Sequence, residues 1–289
     1  MAARFEKIAT GPLGDFDGFD KKTQYQMVPV GKTREMSVVT DAGARLLRSR
    51  DPSVARFANV KSSPPLQPSA ESTPAQIAIP PNRKVEFSIV AIQVGHTELV
   101  LERPDGVPEA SLLVSVKSKV TKSFALCILA DIRRSAGFLD VDMVRFMNGA
   151  RKTYLQQANL ELTQPGTVET VTVPRDLGDP LVLDKPGITD SIVEATPGRV
   201  FAANLVIYGC WNVDLRKERI VGLTLSNLCF VERSTNFFVT SITFGHEVGH
   251  GLGLDHNGDQ DRMMFKDVSA RSSRLSQFEI DTINSSGTV

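Results

Sequence analysis

Hydrophobic and polar side chains alternate along short runs in the first 118 residues. The alternation has a period of two within 85–89, 97–101 and 112–116. Such alternation is typical of strands that bury one face, and the turn signal Pro104-Asp105-Gly106 separates two of them. No segment with helical periodicity appears before about residue 138. Residues 22–118 are therefore predicted to form an all-β domain, a small antiparallel sandwich.

Two segments of this half lack the alternation. Residues 1–21 are rich in Gly and Asp and are predicted to be an irregular arm. The run 62–81 is rich in Pro and Ser, has no periodicity, and is predicted to be a loop.

The pattern changes after residue 119. Apolar positions recur at helical spacing through 140–158, a second helix is predicted from about Thr240 to Leu252, and Ser276 with Glu279 forms a capping box that opens a last helix. Strand-like segments occupy 123–130, 160–162, 167–173, 203–208 and 222–231. This order of elements predicts an α+β domain over 119–289.

Composition narrows the classes of partner. The 289 residues contain 33 Lys and Arg and 33 Asp and Glu, so the formal net charge is zero. A protein that binds nucleic acid through phosphates usually carries a basic excess, and we therefore expect no nucleic-acid partner. No stretch approaches the roughly 18 apolar residues of a membrane span. The first 20 residues lack the apolar region of a Sec signal, so either a signal has been removed, or the chain stays inside, or it leaves by another route.

The three cysteines are too few for a disulfide framework. Cys210 and Cys229 both fall in strand-like segments of the second half, alongside Cys127. Pairing of Cys210 with Cys229 and burial of free thiols are both compatible with the sequence.

Three of the four histidines lie within eleven residues, in the pattern HExxHxxGxxH from His246 to His256. On a helix His246 and His250 lie about 40° apart on one face, so both imidazoles can reach one metal ion. Gly253 can end the helix in a left-handed conformation and return His256 to the same ion. Three neutral imidazoles leave a fourth position open, as in a catalytic zinc site.

Glu247 neighbours the ligands without sharing their direction. It is predicted to be the general base that acts on a zinc-bound water. Phe244, Val248 and Leu252 fall on the opposite face and are predicted to pack into a core. His96, alone in a strand of the first half, is interpreted as a histidine without a role in the site.

With these residues in place, the chain from about 120 to 288 resembles the metzincin zinc endopeptidases, most closely the matrixin-like group. The resemblance implies that Met264, eight residues after His256, forms a methionine turn that serves as a hydrophobic floor beneath the ligands. It also implies cleavage of peptide bonds in a protein or peptide substrate, which lies extended along an edge strand within 222–231. Two positions depart from the family pattern: Asn257 follows the third histidine, and Phe265 follows Met264 where a metal-approaching Tyr occurs in some members.

The first domain resembles a bacterial Ig-like domain of surface proteins. The resemblance is carried by Val30-Gly31-Lys32-Thr33, by the run from Ser49 to Ala55, and by Gly95-His96-Thr97-Glu98-Leu99. It implies a secretion-system or cell-surface partner, and a protein that is cytoplasmic before export and is then secreted or delivered outside the producing cell. An alternative function is an Ig-like binding or effector protein whose metzincin fold has little proteolytic activity.

Overall fold

The computed structural model describes residues 4–8, 18–41, 43–62, 75–215, 218–267 and 272–285. Over these residues the protein is mostly β-sheet, with four α-helices. The chain divides into two compact units, the first comprising Met1–Lys119, Gln156–Asn159 and Ser276–Ile280, and the second Val120–Leu155, Leu160–Leu275 and Asp281–Val289. Within the described part, none of the helices has both the length and the apolar character required to cross a membrane.

The described residues of the first unit form ten strands in two sheets around one hydrophobic core. The strands are β1 (Arg4–Lys7), β2 (Phe19–Asp20), β3 (Tyr25–Pro29), β4 (Thr33–Val39), β5 (Arg45–Ser49), β6 (Ala55–Ser62), β7 (Gln76–Ile79), β8 (Lys84–Ala91), β9 (Gly95–Glu102) and β10 (Pro108–Lys117). One sheet has the order β1-β4-β8-β6 and the other β2-β3-β10-β9-β5-β7. Alternate residues point inward, and Phe57 and Phe87 meet edge to face in the core with ring centroids 5.4 Å apart. This architecture is compatible with an Ig-like β-sandwich.

Three sequence-based expectations for this unit need correction. The arm is not irregular throughout, because β1 pairs with β4 and buries Phe5 in the core. The strand pair β3–β10 is parallel, although a wholly antiparallel sandwich was expected. The Pro- and Ser-rich run contains β7, which pairs with β5; its residues 63–74, like residues 1–3 and 9–17 of the arm, lie outside the described residues.

The second unit is built on a mixed sheet. Its strands are β11 (Val120–Asp131), β12 (Leu160–Thr163), β13 (Glu169–Val173), β14 (Leu181–Val182), β15 (Leu205–Cys210), β16 (Val213–Leu215), β17 (Glu218–Ile220), β18 (Gly222–Leu225) and β19 (Leu228–Glu232). The helices are α1 (Asp140–Ala158), α2 (Ile188–Ala195), α3 (Phe237–Gly251) and α4 (Gln277–Ser285), with a 3₁₀-helix at Gly198–Ala202. The last turn of α1 and the first half of α4 belong to the segments that group with the first unit. The main sheet has the order β12-β11-β15-β19-β18, and β13 also pairs with β11.

Among the described strands of this sheet, β18, at one edge, is the one that runs antiparallel to its neighbour. Strand β11 pairs in parallel with β12, β13 and β15, β15 pairs in parallel with β19, and β18 returns antiparallel to β19. The predicted single strand 222–231 is therefore a hairpin, which turns at Ser226 with a φ of +58°. A separate small sheet joins β14, β16 and β17.

The predicted helices are confirmed, and one was missed. Helix α1 has the predicted bounds, and the capping box exists: Ser276 N–H donates to Glu279 Oε2 (2.6 Å) and Glu279 N–H to Ser276 Oγ (3.2 Å). Helix α2 was not predicted because it is only eight residues long and buries only Ile188 and Ile192.

Helix α3 begins at Phe237, three residues earlier than expected. The Asn236 side chain accepts a hydrogen bond from Phe238 N–H (3.0 Å) and caps the helix. The helix packs against β18 and β19 on one side. It also contacts α1, where Phe244 stacks on Phe146 with ring centroids 5.4 Å apart. The predicted core residues Phe244, Val248 and Leu252 are all buried.

All three cysteines are free and buried, which confirms the free-thiol alternative. Burial raises the pKa of Cys127 and of Cys229 to about 12, and it raises the pKa of Cys210 well above its ordinary value. The thiols are therefore neutral at physiological pH and are not nucleophiles.

Strand β11 ends at a buried carboxylate that organises the following loop. Asp131 Oδ1 accepts hydrogen bonds from Arg133 N–H (2.7 Å) and Arg134 N–H (2.8 Å), and Oδ2 accepts one from Leu177 N–H (3.0 Å). Burial by itself raises the pKa of Asp131, but the three backbone donors and the Arg134 guanidinium outweigh it, so the pKa lies below the ordinary value.

We therefore predict that Asp131→Asn lowers the free energy of unfolding of the second unit by about 1–3 kcal/mol at neutral pH, because an amide cannot accept from all three donors. A carboxylate with a lowered pKa stabilises the fold above its ordinary pKa and loses that effect as the pH falls. The difference from wild type should thus shrink below a pH of about 4. Calorimetric unfolding from pH 7 to pH 3 measures this, with the exposed Asp190→Asn, expected to change stability by less than about 0.5 kcal/mol, as control. A difference that is constant with pH would contradict the prediction.

Candidate metal site

One helical turn and one loop bring three histidines together. His246 and His250 lie one turn apart on α3, and the helix ends at Gly251. Gly253 has a φ of +88°, which confirms the left-handed conformation expected at this position. The chain reverses there, and the imidazole of His256 reaches the other two.

The three Nε2 atoms form a nearly equilateral triangle. His250 Nε2 lies 3.0 Å from His246 Nε2 and 3.2 Å from His256 Nε2, and His246 Nε2 lies 3.2 Å from His256 Nε2. Nitrogen ligands of a tetrahedral zinc ion, each bound at about 2.05 Å, are separated by roughly 3.3 Å. The triangle therefore has close to the dimensions of three ligands on one ion.

Two backbone carbonyls fix the tautomers of the rings on the helix. His246 Nδ1 lies 2.8 Å from the carbonyl oxygen of Met263, and His250 Nδ1 lies 2.7 Å from that of Leu254. A carbonyl oxygen only accepts hydrogen bonds, so each Nδ1 carries the proton and donates it. The Nε2 atom of each neutral ring then carries a lone pair and faces the other ligands. Carbonyls that accept from the second nitrogen are the usual partners of metal-bound histidines.

The donor set fits a metal ion. Two neutral imidazoles with protonated Nδ1 atoms have no hydrogen to place between Nε2 atoms 3.0 Å apart, so a cation between them relieves the repulsion. His246 is buried, His250 is partly exposed and His256 is exposed, so the site is held on one side and open on the other. The triad of His246, His250 and His256 could therefore hold a metal ion.

Glu247 lies beside the triad. Among the described residues, the group that could hold a metal ion consists of the three histidines and does not include Glu247. Glu247 is only 3% exposed. Its carboxylate Oε2 accepts a hydrogen bond from the Thr224 hydroxyl at 2.8 Å. Glu247 and the three histidines line one cavity of about 870 Å³. Residues of β18 and apolar side chains such as Leu215 and Ile220 form the rest of its wall.

The segment after His256 is held beneath α3. Asn257 N–H donates to the Met264 carbonyl (2.9 Å), which closes the loop between the third histidine and the methionines. Met264 is fully buried, and its Sδ atom lies so close to Gly249 that a Cβ at that glycine would overlap it. From the neighbouring helix α1, the Tyr154 hydroxyl donates a hydrogen bond to the Gly245 carbonyl of α3 at 2.8 Å.

The sequence predicted the histidines, Glu247 and Met264 as members of the site, but it did not predict the groups that hydrogen-bond to the histidines, to Glu247 and to helix α3. Thr224, Tyr154 and the carbonyls of Leu254 and Met263 were not identified. The carbonyls belong to ordinary backbone and give no signal in a sequence. His96 lies in β9 of the first unit, is exposed, and is not a member of the triad.

Comparisons with known proteins add little to this site. No family model matches the sequence, and no curated protein matches it. Among solved structures, the chain is similar to the class 5 fimbriae chaperone CfaA, at 12% sequence identity and a TM-score of 0.21. The match covers 37% of this chain and 58% of the chaperone chain, so it spans little more than half of that protein. A TM-score this low supports no argument about fold or function.

We predict that Gly249→Ala destabilises the second unit by about 1–3 kcal/mol, because the added methyl group would overlap Met264 Sδ and lie 2.9 Å from the Tyr154 hydroxyl. The shift of α3 should also weaken metal binding. Thermal unfolding and metal titration measure the two effects. Gly258→Ala is the matched control, since a Cβ there meets nothing within 4 Å and its φ is not positive. Equal stability of the two variants would show that the packing against Gly249 is looser than described.

Proposed function

We propose that the second unit is a zinc-dependent endopeptidase of the metzincin type. The observation that supports this most directly is the convergence of three imidazole nitrogens with Glu247 in one open cavity. Three neutral nitrogen ligands with an open side are typical of catalytic rather than structural zinc sites.

His246, His250 and His256 would hold the ion through their Nε2 atoms, with the Leu254 and Met263 carbonyls orienting two of the rings. When bound, zinc would supply Lewis acidity and would acidify a water molecule in the cavity towards a pKa of about 7. The other contributions to hydrolysis come from side chains and backbone of the chain itself.

Glu247 acts as general base and then as general acid in this proposal. Its carboxylate accepts a proton from water in the cavity and delivers it to the amine that leaves when the peptide bond breaks. The geometry supports the role because the carboxylate lines the same cavity as the imidazoles. Positioned acid–base groups of this kind typically accelerate a reaction by about 10²–10⁴-fold.

The edge strand β18 is the proposed binding surface for the substrate. Among the described strands, β18 lies at one edge of the main sheet. It lines the cavity through Gly222, Leu223 and Thr224. An extended peptide can add to such an edge through backbone hydrogen bonds, with little dependence on its sequence. Apolar residues around the cavity favour a substrate with a hydrophobic side chain near the cleaved bond.

Further support for the metzincin type comes from the loop after the helix. Gly253 has the left-handed conformation that brings the third ligand back, and Met264 lies under the helix that carries the first two. The long motif, the turn and the buried methionine occur together in this family. The role of Met264 as a hydrophobic floor for the ligands is part of the proposal.

We predict about one zinc ion per chain, with loss of tight binding when His246, His250 and His256 are all replaced by Ala. Elemental analysis after dialysis against zinc and a wash without metal measures the stoichiometry. His96→Ala is the matched control and should retain the full zinc content, because it lies in the first unit. Retention of equal zinc by the triple variant would contradict the assignment of the ligands.

We predict that Glu247→Gln retains zinc and the fold but loses hydrolysis by roughly 10²–10⁴-fold. The Gln side chain has the same size and keeps an oxygen that can accept from Thr224, but it cannot take a proton from water. Cleavage of an unfolded protein by the wild type, with and without a zinc chelator, gives the reference rate. Zinc content and melting temperature of the variant are the controls.

The outcomes of this experiment separate enzyme from binding protein. Chelator-sensitive cleavage by the wild type, absent from Glu247→Gln, supports the endopeptidase. A zinc-loaded, folded wild type that cleaves no unfolded protein or peptide favours the alternative of a binding or effector protein with an inactive metzincin fold. A Glu247→Gln variant as fast as wild type would contradict the role of Glu247 while leaving the metal site intact.

A further inference from the structure

Strand β18 places two of its residues directly against the Glu247 carboxylate. Side chains two positions apart on a strand point to the same face, and Gly222 and Thr224 both face α3. Leu223 and Leu225 point the other way and pack on the hydrophobic core of the unit. The face of β18 towards the helix is therefore defined by Gly222 and Thr224.

The two carboxylate oxygens have different neighbours on this strand. A Cβ atom at Gly222 would lie 2.5 Å from Glu247 Oε1 and 2.8 Å from its Cδ, so only glycine leaves room for the carboxylate there. The Thr224 hydroxyl lies 2.8 Å from Oε2. One residue thus bounds the carboxylate sterically, and the other holds it by a hydrogen bond.

The Thr224 hydroxyl has one proton, and two oxygen acceptors and the Cys229 sulfur lie close to it. It lies 3.0 Å from the Glu247 carbonyl oxygen as well as 2.8 Å from the carboxylate. The carbonyl oxygen has another donor in the Cys229 thiol, at 3.4 Å. Hydrogen bonds to a charged acceptor are shorter and stronger than those to a neutral one. The shorter distance and the charge both favour donation to the carboxylate.

We propose that Thr224 is a positioning residue, which holds the Glu247 carboxylate in the orientation needed for proton transfer. It acts through Glu247. This inference rests on the proposed function, because orientation of a general base matters only if hydrolysis takes place. It also joins two parts of the site, since the strand proposed to bind the substrate backbone is the strand that orients the base.

Thr224→Val and Thr224→Ser form a matched pair for the test. Valine keeps the shape of threonine and suits a strand, but it has no hydroxyl; serine keeps the hydroxyl and loses a methyl group. We expect kcat to fall about tenfold in Thr224→Val with KM within about twofold of wild type, and kcat of Thr224→Ser to stay within about threefold. Should Thr224→Val fold poorly, Thr224→Ala removes the same hydroxyl. Zinc content and melting temperature are compared for all variants.

Crystal structures of wild type, Thr224→Val and Thr224→Ser give a readout that is independent of activity. We expect one ordered Glu247 carboxylate beside residue 224 in wild type and Thr224→Ser, and a displaced or split carboxylate in Thr224→Val. A carboxylate that does not move in Thr224→Val, or a kcat that does not fall, overturns the inference. Failure of the proposed function is a different result, namely a folded, zinc-loaded wild type without hydrolytic activity.

Discussion

The Nε2 lone pairs of His246 and His250, 3.0 Å apart, repel each other unless a cation lies between them, and the structure around α3 keeps them at that distance, with His256 Nε2 3.2 Å from each. Two rings are fixed by carbonyls that can only accept, which commits their Nε2 atoms to the role of electron-pair donors. Those carbonyls belong to the loop that follows the helix. The loop therefore supplies both the third ligand, His256, and the orientation of the first two.

Helix α3 is held from two sides, and both contacts use residues close to the ligands. On one side, Met264 Sδ of the loop packs against Gly249, where the absence of a side chain leaves room for it. On the same side, the Tyr154 hydroxyl of α1 donates a hydrogen bond to the Gly245 carbonyl. On the side of the sheet, Glu247 meets Gly222 and Thr224 of β18. Protein interiors are close-packed, so contacts as tight as these tolerate little added volume. A displacement of Met264 or of β18 would therefore move the histidines of α3 or the Glu247 carboxylate.

The part of the candidate site that could be predicted consists of residues close together in the sequence. The spacing from His246 to His256 determines which side chains share a helix face, and a glycine at 253 is the residue type that allows the reversal. The contact between Thr224 and Glu247 joins residues far apart in the sequence, and it depends on how β18 lies against α3. Alternation identifies a strand and its buried face, but it does not give the strand's partner or direction. For the same reason the parallel pair β3–β10 was missed. The hairpin within 222–231 did carry a signal, because Ser226 and Asn227, which lie between its two strands, are both residue types favoured in turns. Export from the cell and a secretion-system partner for the first unit stay predictions.

The burial of Glu247 bears on the choice between an enzyme and a protein that only binds metal. Removing a carboxylate from water costs several kcal/mol unless hydrogen bonds and charges compensate. Metal binding alone does not account for this burial, because the ligand triad contains three histidines and no carboxylate. Packing alone would be served better by an apolar side chain at position 247. A carboxylate that is nearly enclosed, accepts from a hydroxyl and lines the cavity of three imidazoles is suited to proton transfer, which supports the proposed hydrolysis over passive binding.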